Sequence, residues 1–200
     1  MRKKFLIFFF NILFLSIASI AVSENSSDPK EFIQEIVDDA KKILVATNSS
    51  EYKTEKLVEI AKAKVDIRGI ALYSLGSYRK QLSKNELNEY FVLFEAYFLK
   101  SFTSRLTVYS DPKINVISAE KKSEKYTIVS SILIATNKKP EVKIEWRVYT
   151  KDPNNLLIRD LIVEGLSLAR TQKEEFSSII ESNDGNIKAL FIKLKEFTSS

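Results

Sequence analysis

Few side chains in this 200-residue sequence could do chemistry, because it contains no His and no Cys. Thiolate and imidazole metal ligands are missing, so ordinary structural zinc sites are excluded, and so is the imidazole base of nucleophilic triads. Carboxylates, Lys, Tyr and Ser remain. The best-spaced acids are Asp160 and Glu164 in "RDLIVEGLSL". On a strand they share a face, but four residues at ~3.3 Å each put them about 13 Å apart, beyond the ~5 to 9.5 Å of glycosidase pairs. Solvent-facing or helix-capping roles are expected for both. Ser167, Ser177 and Ser178 have no imidazole to activate them, and no S-x-x-K tetrad stands in a fitting context. The chain is therefore expected to be no enzyme and to need no catalytic residue, metal or cofactor.

The elements around these residues begin after a leader. Arg2, Lys3 and Lys4 precede an apolar run over residues 5–20, and "AVS" closes it with small residues at a cleavage position. These are the three parts of a secretory signal, expected to span residues 1–23 and to leave residues 24–200 as one domain. The net charge of +5 includes those three cations and no acid of the leader, so the mature chain carries only +2. That excludes the concentrated basic face of a nucleic-acid binder. An exported chain without cysteine must draw its stability from apolar burial rather than disulfides. "NSS" at Asn25 and Asn48 matches the glycosylation acceptor, which matters only in a eukaryotic secretory pathway.

No repeat, low-complexity tract or Gly/Pro-rich linker interrupts the rest. Asp28 and Pro29 announce a helix whose Phe32, Ile33, Ile36, Val37, Ala40, Ile43 and Leu44 recur at helical spacing, and "TNSS" ends it. Residues 54–75 predict one or two short helices with a break near Asp66, stopped at Gly76. Ser83 and Glu86 form a capping box opening a longer helix over residues 84–104. Leu87, Phe91, Phe94, Phe98 and Phe102 stripe that helix, and Tyr90, Val92, Leu93, Tyr97 and Leu99 widen its apolar arc. Such an arc is buried on two sides or lines something hydrophobic. As plain sequence, a Phe stripe favours core over cavity.

Beyond Arg105 the period changes to two. "VKIEWRVY" alternates, with Val142, Ile144, Trp146 and Val148 on one face and Lys143, Glu145, Arg147 and Tyr149 on the other, as in a half-solvated antiparallel strand. "INVISAEKK", "TIVSSILIAT" and residues 156–164 complete about four antiparallel strands. Two helices, residues 172–182 and 186–197, follow, separated by "NDG" with Gly185 suited to a left-handed cap. The class is α+β, with six or seven helices packed on the sheet.

Two segments carry a family resemblance. "ALYSLGSYRKQLSKNELNEYFVLFEAYFLKSFTSRL" resembles the helix, glycine, aromatic and long helix of the MlaC family, also called toluene-tolerance auxiliary proteins, and Gly76 and Tyr78 match its turn. That family often has Trp near Arg79, where this chain departs. "RDLIVEGLSL" is similar to the family's D-[VIL]-x-[VI]-E-G-[VIL]-S strand end, and "QKEEFSSII" with "GNIKALFIKL" resembles its closing helices.

The resemblance implies a curved sheet of cystatin or nuclear-transport-factor-like type, with helices around a deep apolar cavity. It implies a periplasmic protein that carries a phospholipid between an outer-membrane lipoprotein complex and an inner-membrane ABC transporter complex, acting as a monomer. Periodicity and resemblance together nominate Leu75, Phe91, Phe94, Phe98, Ile132, Ile134, Ile144, Trp146, Val148, Leu161 and Val163 for the cavity wall. Gly165 then permits the sharp exit from the sheet, and Phe176 and Ile180 help seat the next helix against the sheet. The competing expectation is an adaptor or chaperone-like domain with a filled core.

Overall fold

The computed structural model describes residues 28–136 and 140–199. The expected signal, Asn25 and most of the "NKKPE" connection lie outside the described residues.

Local signals set the helix starts. Asp28 caps α1 (Pro29–Val45) through the N–H groups of Lys30 and Glu31. Ser49 caps α2 (Ser50–Lys64), so the second half of "TNSS" opens a helix four residues before the expected start. Asp66 caps α3 (Ile67–Leu75), and the break expected near it is present. A 3-10 helix (Gly76–Gln81) leads to α4 (Lys84–Leu106), whose capping box is fully made: Ser83 Oγ accepts from the Glu86 N–H, and Glu86 accepts from the Ser83 N–H.

The sheet runs in sequence order, all antiparallel: β1 (Ile114–Ser123), β2 (Tyr126–Leu133), β3 (Val142–Tyr149), β4 (Leu157–Val163) and the two-residue β5 (Leu166–Ser167). β1 is an edge, and its pairing slips between Val116 and Ser118 and again between Lys121 and Ser123. Glu164 (φ 50°) and Gly165 (φ 81°) turn β4 into β5. Two consecutive positive φ values are what a two-residue type I′ hairpin turn requires, and glycine takes one at no steric cost. α5 (Leu168–Glu181) and α6 (Ile187–Ser199) close the chain around Asp184 and Gly185, both also at positive φ. The fifth, minimal strand joins the four expected, and six α-helices with one 3-10 turn match the expected number.

Two apolar clusters form. Phe32, Ile33, Ile36 and Val37 of α1 cover one sheet face, against Val129, Val148 and Ile158, with Leu156 beside them. The other gathers α3 to α6 around Leu75, Tyr90, Phe94, Phe176, Ile180, Leu190, Phe191 and Leu194. Tyr90 is wholly buried and donates its hydroxyl to the Ala71 carbonyl at 3.1 Å, and burial pushes its pKa up, so it stays a neutral phenol. Phe176 and Ile180 are buried, but they seat α5 against α3, α4 and α6 rather than against the sheet as expected.

The α4 cap also ties down α6. The Glu86 carboxylate meets Lys188 Nζ at 2.8 Å as well as the Ser83 N–H at 3.0 Å, and Lys188 above all lowers its pKa from 4.5 to about 2. A depressed carboxyl stabilises the fold fully above about pH 4.5 and loses that contribution as the pH falls toward 2. Glu86→Gln is expected to lower Tm at pH 7, with the gap to wild type closing between pH 4.5 and 2 in thermal melts followed by circular dichroism. A gap that stayed constant with pH would assign the loss to packing.

Candidate ligand cavity

The register of β2, β3 and β4 sorts their side chains by face. Val129, Ser131, Ile144, Trp146, Val148, Leu161 and Val163 share the α1 side, where Trp146 Nε1 donates to Ser131 Oγ at 2.8 Å. Tyr126, Ile128, Glu145, Arg147 and Ile162 share the opposite face. Against that second face stand Gly69, Ile70, Leu72 and Tyr73 of α3, Arg79 of the 3-10 helix and Ala169 of α5. Between them lies a cavity of about 780 Å³, open to solvent and rimmed by Lys122 and Ser123 at the end of β1. Its size lies within the ~300–1,000 Å³ of small-molecule sites.

Its walls are rigidly framed. Arg159 Nε donates to Asp66 Oδ2 at 2.7 Å and Nη1 to the Tyr126 hydroxyl at 3.0 Å, while its guanidinium lies 3.7 Å above the Tyr149 ring. Asp66 also accepts the Gly69 N–H at 2.8 Å, and a Cβ on Gly69 would stand 2.4 Å from the same carboxylate, so this cap, with its tie to Arg159, keeps its geometry only with glycine there.

The "DLIVEGLS" run has an equally physical role. The hairpin at Glu164 and Gly165 folds Ser167 back beside β4, where its hydroxyl donates to Asp160 Oδ2 at 2.6 Å. Asp160 Oδ1 accepts the Ala169 N–H at 2.9 Å, Ser167 Oγ accepts the Arg170 N–H at 3.1 Å, and Arg147 reaches Asp160 at 3.3 Å. Asp160 is buried, at 3% exposure, and is a helix cap. The solvent-facing alternative holds only for exposed Glu164, whose carboxylate accepts the Lys143 N–H. Ser177 and Ser178 line a shallower groove of about 390 Å³ with Tyr73, Lys173 and Glu181.

None of the eleven residues nominated for a cavity wall borders the 780 Å³ cavity. Leu75 and Phe94 are buried in the helical cluster, and Phe91 and Phe98 pack against it. Val148 is buried under α1, Trp146 packs beside it, and Ile144, Leu161 and Val163 are half-buried on the same face. Ile132 and Ile134 are half-buried at the end of β2. Alternation separates two faces without saying which one a helix covers, and α1 takes the apolar one. The signal that points to the cavity is the mixed character of the other face: Ile128 and Ile162 interrupt its polar residues, which a face open to bulk water does not require.

No curated protein matches the chain. Among solved structures it resembles a phospholipid-binding protein from Ralstonia solanacearum in complex with a phospholipid, with TM-score 0.71 and 18% identity, covering 86% of this chain and 97% of that one. A family model described as MlaC protein matches residues 31–196, most of the sequence, and the chain belongs to the MlaC family.

Proposed function

We propose that this protein is a phospholipid carrier that holds its ligand between the sheet and α3 and α5. The observation that carries this reading is the 780 Å³ cavity, with Ile70, Leu72, Ile128 and Ile162 for acyl chains and an open, polar rim for a head group. It lies in a fold shared with a protein solved with phospholipid bound. In this reading residues 1–23 direct the chain to the periplasm, where it docks in turn on outer- and inner-membrane complexes, the latter an ABC transporter.

Carriage needs no catalytic group. Burying ~30 methylenes against water is worth roughly 0.8 kcal/mol each, on the order of 25 kcal/mol gross. The bilayer offers a similar apolar environment, so extraction is nearly balanced and hand-over falls to the partners.

The test is native mass spectrometry of the mature protein purified from a bacterial periplasm, with identification of released lipid. One diacyl phospholipid per chain is expected. A chain that arrives empty and takes nothing from vesicles would overturn the reading in favour of an adaptor. The face is tested by Ile162→Glu, which places a carboxylate in the cavity and is expected to abolish lipid retention in a protein still folded by circular dichroism. Ile144→Glu, on the α1 side, is expected to retain lipid when folded; the reverse pattern would move the ligand to that side.

A further inference from the structure

The cavity has a chemical bias beyond apolarity. Four cations border it, Arg79, Lys122, Arg147 and Arg159, against one acid, Glu145. They are not equally available. Arg159 is spent on Asp66, Tyr126 and the Tyr149 ring, Lys122 pairs with Glu120, and Glu145 pairs with Lys143 at 3.0 Å. Arg147 makes one ion-pair contact, at 3.3 Å, to an Asp160 whose oxygens also serve Ser167 and Ala169. Arg79 makes no ion pair among the described residues, and its one contact is to the Leu72 carbonyl at 3.4 Å.

A guanidinium has five N–H donors in a planar fork that matches phosphate bidentately. Arg147 and Arg79 therefore keep most of their donors beside the apolar wall formed by Ile128, Ile162 and Leu72. Resting on the carrier reading, we infer that the cavity selects lipids whose phosphodiester has no compensating cation, anionic over zwitterionic, with Arg147 and Arg79 as head-group ligands. An ammonium head group would meet the rim cation Arg79, unpaired among the described residues, and the cavity's one carboxylate is already engaged by Lys143. Free phosphate shares the same chemistry, and the experiment separates the two.

The mature protein, freed of lipid, is incubated with vesicles of phosphatidylcholine carrying equal fractions of phosphatidylglycerol and phosphatidylethanolamine, then recovered for lipid analysis. Both lipids sit in one membrane, so general attraction to a charged surface cancels. The expected result is an enrichment of phosphatidylglycerol over phosphatidylethanolamine of about tenfold. The enrichment is expected to fall toward one in the Arg79→Gln/Arg147→Gln variant and partway in Arg79→Gln, an exposed position whose replacement leaves the fold intact. Capture of both lipids at the vesicle ratio would overturn the selectivity while leaving the carrier. Capture of no lipid would overturn the carrier reading itself. Inorganic phosphate, added alone and bound by wild type but not by the double variant, with no lipid captured, would reassign the arginines to a free anion and overturn the proposal.

Discussion

Asp160→Ala is expected to lower the unfolding free energy by about 3 to 4 kcal/mol, from charge-assisted hydrogen bonds each worth ~1.5 to 3 kcal/mol. The carboxylate is buried, and its loss strands the Ser167 hydroxyl and the Ala169 N–H together. Arg147 loses its anion too, although its part-exposed head recovers water and limits the loss. At ~2 to 4 °C per kcal/mol for a chain of this size, Tm falls by roughly 10 °C. Asp160→Asn keeps the volume and an acceptor for the Ala169 N–H, so it should cost about half as much. Equal losses in both variants would show that charge, rather than the capping geometry, holds the start of α5. Thermal and urea unfolding read both.

Phe94→Ala carries the largest expected loss, about 3 to 5 kcal/mol. The ring is 1% exposed and lies 5.8 Å from Tyr90, 6.2 Å from Tyr97, 6.2 Å from Phe98 and 6.1 Å from Phe176, centroid to centroid. Truncation leaves a void among four rings that are themselves held by α3, α5 and α6. The loss is expected in lipid-free protein. A variant of near-wild-type stability that fails to hold lipid would instead put Phe94 on a cavity wall.

These two residues show what a sequence makes legible. Asp28, Ser49, Asp66 and the Ser83/Glu86 pair cap helices within three residues of themselves, so most helix starts follow from local spacing. α5 begins at Leu168, four residues before its expected start, because the acceptor for the Ala169 N–H in its first turn is Asp160, nine residues upstream on another element. Only the closed hairpin brings Asp160 and Ser167 together. The strands and their alternation were readable for the same local reason. Which face α1 covers was not, since α1 and β3 are about a hundred residues apart in sequence and either face of β4 offers apolar residues, Leu161 and Val163 on one and Ile162 on the other. Register alone places Ile128 and Ile162 on the cavity's face, while Phe91, Phe94 and Phe98 of α4 pack in the helical cluster.

The slipped pairing of β1 bears on how this molecule survives at high concentration. Along its ten residues, every second one turns its backbone N–H and C=O outward to any other chain, the kind of template on which fibrils grow. The two slips bend that template at Ile117 and Lys122, and Glu120, Lys121 and Lys122 leave a charged, solvated stretch where a flat partner strand would have to lie. A second copy meets a twisted edge that keeps its water, and the longest strand of the sheet is made a poor seed for aggregation.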